Sequence, residues 1–405
     1  MIIWPVENHR MAQGSHNAAP NAVGYQHQTW WALVELLRSG PDRPDAAISL
    51  ELFDDIAWDN AGTPTEMLQV KHHEGKSRSL TDRSKDVWKT LQVWMDTASP
   101  GDAYGPSLAL VTTQVAAPGS AMAALRAVDR DEEAAAALLE DVADEKGDKE
   151  TLATRRQFLA LALSERRTFL HRIRIADGSP HAEDVQAAVR ACLQWTLPRG
   201  HEDLFLAMVW QWWDTQALAL LQGRLTSLDV GAAQAAIADI RDRFTCENLP
   251  TLVQLGDVDE DEIGEMYRAH PFVQQMQWVA YPPKNLQKAI VDYYRAYTQA
   301  VRWVDEDLIG IGELETFEHE LVDEWEREFD WMMDSLDDDA DEKAKREAGK
   351  AMLRTLLGNT GITVRSRYNE PFFARGQRHI LADGGHIGWH ADFKNRVEEL
   401  LKIRI

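Results

Sequence analysis

ISLELFDDIAWDNAGTPTEMLQVKHHE, residues 48–74, places several ionisable side chains between two runs of apolar residues. Apolar and polar residues alternate on both sides of DNAGTP, whose composition is typical of a turn, so the stretch predicts a β-hairpin. We expect the first arm to be one strand over residues 48–58 and the second to run over 67–72, with the turn centred near residues 61–62.

The hairpin brings polar residues together in the predicted register. Side chains alternate across a strand, so Glu51 and Asp55 share one face of the first arm, and Asp54 points to the other face. Gln69 and Lys71 share a face of the return arm. A turn near residues 61–62 makes paired residue numbers add to about 124, which places Asp55 beside Gln69, within about 5 Å between Cβ atoms.

This polar set suits a hard cation such as Mg²⁺ or Mn²⁺, which takes oxygen ligands from carboxylates, waters and a substrate phosphate. Asp55 and Glu51 offer carboxylates, and the Gln69 amide offers a neutral oxygen. Lys71 can hold an attacking water or balance charge on a phosphoryl transition state. The pattern therefore indicates hydrolysis of a phosphodiester. The same spacing also fits carboxylates that simply face solvent beside a turn, so both interpretations stay open here.

Composition limits the class of protein. A chain of 405 residues is long enough for two or three domains. Its two cysteines, Cys192 and Cys246, have neither zinc-site spacing nor a disulfide pattern, which fits a reducing cytoplasm. The N-terminal residues lack the pattern of a secretory signal, and no apolar run reaches the length of a membrane span. We expect a cytoplasmic protein that does not contact a membrane.

The net charge of −23 opposes binding of the whole chain to nucleic acid, because phosphate neutralisation supplies most of that affinity. A strip of basic residues nevertheless follows the second arm of the hairpin. We predict it as a weak nucleic-acid contact or, equally, as a solvated loop and helix face. Its members beyond Lys71 are Lys76, Arg78, Arg83, Lys85 and Lys89.

Periodicity divides the chain into four regions. Residues 1–20 form an irregular N-terminal arm, and residues 21–150 read as helix, hairpin, helix, strand and helix, a compact α/β domain. Residues 151–250 are mainly helical, with one strand predicted near Arg172. Residues 251–405 are mainly helical and include two amphipathic helices, over 286–304 and 314–332, joined by a short turn.

Two resemblances sharpen these expectations. An aspartate followed, about a dozen residues later, by Gln-x-Lys on the next strand resembles the PD-(D/E)xK nuclease superfamily in its Q-x-K variant. More narrowly, several segments look like the dsDNA endonuclease domain of bacterial anti-phage effectors. They are GYQHQ (24–28), LELFDDIAW (50–58), MLQVKHH (67–73), TTQ (112–114) and PGS (118–120). The likeness implies a restriction-endonuclease-like α/β fold, Asp55 and Gln69 as metal ligands, and Lys71 as the catalytic lysine. It leaves Glu51 as an accessory candidate and Gln28 as a weaker one.

The second resemblance covers residues 250–405. It rests on HPFVQQMQWV (270–279), AIVDYYRAYTQAVRWVDEDL (289–308), ELVDEWEREF (320–329) and RGQRHILADGGHIGWHADF (375–393). These look like the C-terminal domain of the nuclease subunit of Lamassu-type, ABC-three-component anti-phage defence systems. The likeness implies assembly with an SMC-type ATPase and a small accessory subunit. We also expect a homo-oligomer on activation and a DNA endonuclease effector that is released or assembled when foreign DNA is sensed.

Alternatives accompany this interpretation. The chain can be a catalytically inactive scaffold subunit that keeps the nuclease fold, or a nuclease that acts on RNA. The group His379, His386 and His390 matches no zinc motif and is predicted as a hydrogen-bonded structural loop. A further basic group is predicted either to meet a phosphate or acidic partner or to form ion pairs within the chain. Its members are Arg365, Arg367, Arg375 and Arg378.

Overall fold

The computed structural model describes residues 19–72, 79–146 and 149–403. The chain divides into two compact units, residues 1–238 and 239–405, each described separately below. All but the last two residues of the predicted N-terminal arm, 1–20, lie outside the described residues. None of the helices in the described ranges is both long and apolar enough to cross a membrane.

The first unit contains a mixed sheet with helices around it. Its strands are β1 (Ala47–Leu50), β2 (Ile56–Asn60), β3 (Thr63–Lys71), β4 (Ser79–Leu80), β5 (Ser107–Thr112), β6 (Val115–Ala116), β7 (Ile173–Ala176) and β8 (Leu228–Asp229). Its helices are α1 (Ala19–Ser39), α2 (Lys85–Thr97), α3 (Ala121–Ala124), α4 (Glu132–Asp144), α5 (Leu152–Ala160), α6 (Leu163–Arg172), α7 (Val185–Cys192), α8 (Glu202–Leu221) and α9 (Val230–Asp242), within which the unit boundary falls.

The main sheet has six strands in the order β7-β5-β3-β2-β1-β8. β1, β2 and β3 form an antiparallel meander, whereas β3, β5 and β7 run parallel. The β4 and β6 strands pair separately. Residues 151–250, predicted as mainly helical with one strand near Arg172, supply β7 and β8 to this sheet, where Ile173, Ile175 and Leu228 are buried. β7 is the predicted strand, whereas β8 was not predicted. The α/β character predicted for the N-terminal part is present, and its sheet draws on residues as far as Asp229.

The prediction of one continuous strand over residues 48–58 is wrong. The chain reverses between β1 and β2, so that Leu50 pairs with Ile56 across an antiparallel ladder. Glu51 adopts a left-handed backbone with a φ of 53°, and its N–H donates to the Asp55 carbonyl over 3.2 Å. The Asp54 carboxylate accepts the Asp55 N–H over 2.9 Å. Asp54 and Asp55 thus form part of a turn instead of continuing the strand, and short Asp and Asn side chains commonly stabilise turns in this way.

The predicted register of the hairpin itself is confirmed. Ile56 pairs with Leu68, and Ala57 pairs with Met67, so paired numbers add to 124 beside the polar residues. The turn falls at Ala61 and Gly62, whose φ values are 51° and 81°. A bulge near Asp59 shifts the pairing by one residue next to that turn. Asp55 and Gln69 lie on the side of the bulge away from the turn, so the bulge does not change their register.

The second unit is helical. Its helices are α10 (Glu260–Tyr267), α11 (Pro271–Trp278), α12 (Pro283–Asp305), α13 (Ile311–Asp334), α14 (Glu342–Gly358), α15 (Pro371–Asp383) and α16 (Phe393–Ile403). The two predicted amphipathic helices correspond to α12 and α13 and carry buried anchors such as Trp303 and Leu321. The principal partner of α12 is α15. Trp303 also ties α12 to the incoming chain, because its indole N–H donates to the Pro250 carbonyl over 2.8 Å.

Candidate active site

The structure brings Asp55, Gln69 and Lys71 together. Gln69 Nε2 donates to Asp55 Oδ1 over 3.1 Å, and Lys71 Nζ lies 3.4 Å from Asp55 Oδ2. The Val70 backbone N–H donates to Asp55 Oδ2 over 2.8 Å. The Asp55 and Lys71 side chains are 17% and 27% exposed, whereas Gln69 is buried. An acid, an amide and an ammonium therefore meet where the sheet borders solvent.

Strand pairing explains this convergence. Because Ile56 lies opposite Leu68, the residue before Ile56 lies beside the residue after Leu68. The β3 strand is also central, with β2 on one side and β5 on the other, which holds its backbone in place. Asp55 ends the loop between β1 and β2, so its carboxylate reaches the Val70 amide as well as the two side chains.

Glu51 and Gln28 border the same cluster. Gln28 is buried on α1, and its Nε2 donates to Glu51 Oε1 over 2.7 Å and to the Asp55 carbonyl over 3.0 Å. Glu51 is exposed. One amide group thus fixes both ends of the loop that carries the acids. Gln28 contacts the backbone of this loop, which is a positioning role.

Asp54, predicted to face away from the cluster, lies within it. Its Oδ1 accepts a hydrogen bond from Gln69 Nε2, and its Oδ2 accepts one from the Trp94 indole N–H over 2.7 Å. Burial raises the pKa of the Asp54 carboxyl, as does the nearby Asp55 charge, and the two hydrogen bonds from Gln69 and Trp94 oppose that rise. The single-strand interpretation missed this residue, since alternation does not hold in a turn. The adjacent pair Asp54–Asp55 was the signal that a turn was present.

The donor set fits a hard divalent cation in part. Asp55 and Glu51 supply two carboxylates near solvent, which match the one or two that Mg²⁺ commonly takes from protein. Gln69, by contrast, presents its amide nitrogen to the carboxylates of Asp54 and Asp55. In this arrangement Gln69 orients the acids through hydrogen bonds. Its role as an oxygen ligand stays a prediction, because it requires the opposite amide orientation.

The predicted basic strip is partly engaged in ion pairs of the first unit. Arg83 Nε donates to Glu145 Oε2 over 2.8 Å, and Lys85 Nζ lies 3.0 Å from Glu150 Oε2. Lys89 is exposed on α2. The remaining two members, Lys76 and Arg78, lie outside the described residues. A nucleic acid that contacts this strip has to compete with two carboxylates.

The histidines of the C-terminal segment do not share one site. His379 lies on α15, where its ring stacks on Phe272, and His386 is exposed. His390 approaches Glu342 and Asp392, and these three are the one group of His, Cys, Asp and Glu side chains with metal-like spacing in the described ranges. Both acids already have cationic partners, since Arg396 donates to Glu342 over 2.7 Å and Lys345 donates to Asp392 over 3.0 Å. This arrangement is an ion-pair network around a buried imidazole.

The arginines of the C-terminal segment form ion pairs within their own unit, which is one of the two predicted alternatives for this group. Each arginine has a carboxylate partner in residues 239–405. The pairs are Arg365 with Glu313, Arg367 with Asp242, Arg375 with Asp292 and Arg378 with Glu324.

The chain thus combines an α/β unit that carries an acid, amide and lysine cluster with a helical unit rich in internal ion pairs. Residues 272–397 match the family model of C-terminal domain 7 of the ABC-three component (ABC-3C) systems. The helical unit is thus similar to a domain of these systems, which supports a link between this chain and them. A search of curated proteins found no match to this chain.

Proposed function

We propose that this protein is a metal-dependent DNA endonuclease and the effector of an ABC-three-component defence system. The observation that carries the proposal is the contact of Asp55, at the end of the loop before β2, with Gln69 and Lys71 on the adjoining strand β3 at 3.1 and 3.4 Å. A lysine beside a carboxylate near solvent is suited to phosphate chemistry, since the acid can hold a cation and the ammonium can contact phosphate oxygens. The C-terminal match supports the link to defence.

Each residue has a distinct role in this proposal. Asp55, with Glu51 as an accessory carboxylate, would hold a divalent ion (Mg²⁺ or Mn²⁺), and that ion when bound supplies Lewis-acid chemistry to the phosphodiester. Lys71 donates hydrogen bonds to the scissile phosphate and orients the attacking water. The water oxygen forms a bond to phosphorus as the bond to the leaving oxygen breaks. The water releases one proton to solvent, and the leaving oxygen takes up one proton from solvent. Gln69 and Gln28 keep the acid-bearing loop in position.

The charge of the chain favours a nuclease whose contact with DNA depends on partner subunits. The chain carries a net charge of −23, and Arg83 and Lys85 are bound to Glu145 and Glu150. Both features weaken the contact of an isolated chain with a DNA backbone. We therefore propose that an SMC-type ATPase, a small accessory subunit and self-association of this chain bring the cluster to double-stranded DNA.

The direct test is cleavage of plasmid DNA by the full-length protein with its partner subunits, in the presence of Mg²⁺ or Mn²⁺. We expect wild type to nick or linearise the plasmid and Lys71→Ala to lose nearly all of that activity, because the ammonium contact is made in the transition state. Lys146→Ala is the matched control, since Lys146 is an exposed lysine of the same unit. It should cleave as wild type does.

Equal cleavage by wild type and Lys71→Ala would contradict the assignment of the site. Replacing the plasmid with double-stranded RNA tests the substrate class. Preferential cleavage of RNA would mean that the substrate of this site is RNA and not DNA.

The second candidate is a scaffold subunit without catalysis. It is favoured by the buried Gln69–Asp54–Trp94 hydrogen bonds, which resemble a structural polar network. A scaffold would leave plasmid intact in the complete assembly, and Lys71→Ala would still assemble with its partners. The nuclease proposal requires cleavage in that assembly.

A further inference from the structure

The second unit contains a cavity of about 590 Å³ whose wall is rich in basic residues. It lies among residues of α10, α12, α14 and α15 and of the segments just before α10 and α12. The lining residues that matter here are Tyr281, Lys288, Arg295, Arg354, Arg375 and His379. This cavity is separate in sequence and in unit from the cluster around Asp55.

The cavity is basic in an acidic chain. Four cationic side chains line it, against two acids, Glu260 and Asp292. Asp292 already accepts a hydrogen bond from Arg375 Nε over 2.6 Å. A guanidinium carries five N–H donors, so this bond leaves the others of Arg375 for a further acceptor. Lys288 and Arg354 are exposed at the cavity. The local charge therefore favours an anion, whereas the net charge of the whole protein is −23.

Close packing of two helices creates this arrangement. A Cβ added to Gly376 on α15 would lie 2.2 Å from the Asp292 carbonyl oxygen on α12, so only glycine allows the helices to approach this closely. The approach brings Arg375 to Asp292. Because successive turns of a helix place i and i+4 side chains on one face, His379 follows Arg375 along the same wall. The cationic wall is thus part of the helix interface and does not depend on a loop.

His379 supplies the second, independent observation. It is 1% exposed and lines the cavity, and its Nδ1 is buried without a hydrogen-bond partner. Buried polar atoms in native proteins nearly always have partners, because leaving one unpaired costs free energy. Burial, aided by the nearby Arg375 and Arg378 charges, lowers the pKa of His379 to about 3, so its imidazole is neutral and carries one N–H donor.

We propose that this cavity binds a phosphate-bearing small molecule, with Arg375, Lys288 and Arg354 as the groups that contact the phosphate and His379 as a hydrogen-bonding group in its wall. Its volume lies within the range of about 300–1,000 Å³ that small-molecule sites occupy. The enclosed position of His379 favours a ligand that enters the cavity over a macromolecule that lies across its rim. Neutral imidazole tolerates the neighbouring arginines and can donate to a phosphate oxygen.

The test uses the full-length protein in a phosphate-free buffer with a chelator of divalent ions. Inorganic phosphate, pyrophosphate and ATP are titrated separately by calorimetry, and a sodium chloride series matches the ionic strength. We expect saturable binding with one ligand per chain. Phosphate as tight as ATP would mean that the cavity recognises the phosphate group alone, whereas tighter binding of ATP would mean that it recognises a nucleotide. No saturable binding of any of the three overturns the proposal.

Matched variants place the binding in the cavity. Lys288→Ala with Arg354→Ala should weaken binding by about tenfold or more, the factor that corresponds to about 1.4 kcal/mol. Lys284→Ala with Lys343→Ala is the control, because both lysines are exposed in the same unit and neither lines the cavity. If both double variants bind as wild type does, the ligand occupies another surface and the proposal fails.

His379→Phe separates a binding role from a structural one. Phenylalanine fills the ring position beside Phe272 without a polar atom, so we expect a folded variant whose melting temperature without ligand is not below that of wild type. Its stabilisation by added ATP or phosphate should be lost. A variant that melts lower but keeps the full ligand-dependent stabilisation would assign His379 a structural role and overturn its place in the site.

Discussion

The Trp94 indole N–H donates a hydrogen bond to Asp54 Oδ2 over 2.7 Å in the interior of the first unit. The bond joins α2 to the loop between β1 and β2, and the other carboxylate oxygen of Asp54 accepts from Gln69 and from the Asp55 N–H. The buried Asp54 thus holds the loop that carries the more exposed Asp55 in place. It links the packing of a core tryptophan to the geometry of the candidate active site.

The first prediction concerns Asp54→Asn. Asparagine keeps one acceptor oxygen, so its amide group must face either the Trp94 donor or the Gln69 donor. We expect the free energy of unfolding to fall by about 1–3 kcal/mol, the usual cost of an unsatisfied buried group. Urea denaturation measures this change. Asp45→Asn, at an exposed position of the same unit, should leave the value nearly unchanged. Equal effects of the two variants would show that the Asp54 network does not contribute to stability.

The second prediction compares two neighbouring acids on α13. Glu324 binds Arg378, whose side chain is fully buried, whereas Asp323 binds Arg327 at the surface. Glu324→Gln leaves a buried guanidinium without a counter-charge and should lower the free energy of unfolding by about 3 kcal/mol. Asp323→Asn should stay within about 0.5 kcal/mol of wild type, since exposed pairs contribute little. Chemical denaturation of both variants checks the contrast, and similar losses would contradict it.

The third prediction concerns the contact of α12 with α15. Gly376→Ala would place a Cβ 2.2 Å from the Asp292 carbonyl oxygen and 2.4 Å from the Ala296 Cβ, so the helices must separate. We expect a loss of about 1–3 kcal/mol, the range for overpacking in a core. Gly312→Ala on α13 is the control, because nothing lies within 4 Å of an added Cβ there. Thermal unfolding that ranks the two variants in the opposite order would show that α12 and α15 do not pack this closely.

The fourth prediction concerns pH and His379. The folded-state pKa of this imidazole is about 3, whereas its ordinary value is 6.5. Between these values the unfolded chain binds a proton that the folded chain does not, so stability falls as pH decreases below 6.5. The contribution is roughly 1.4 kcal/mol per pH unit within that window. Urea unfolding of wild type and His379→Phe at several pH values measures it. The variant should lose this part of the acid sensitivity, and identical pH profiles would refute the prediction.

The pattern of residues predicted the hairpin and much of the candidate site. Register follows from a period of two and from the turn at Ala61 and Gly62, so Asp55 could be placed beside Gln69 without coordinates. The reversal at Glu51–Asp55 was missed, because the prediction carried strand alternation across the Asp54–Asp55 pair, where the alternation of apolar and polar residues breaks. That error put Asp54 on the wrong face, although the residue is held by Gln69 and Trp94.

What the sequence determined by itself is local: the amphipathic helices α12 and α13, the pairing of β2 with β3, and the polar side chains that this pairing gathers. The tertiary structure decided what depends on distant segments. It added β7 and β8 to the sheet, joined Trp94 to Asp54 across 40 residues, and set His379 and Arg375 against α12 at a basic cavity. Periodicity reports which face of an element is buried, and only packing determines which other element covers it.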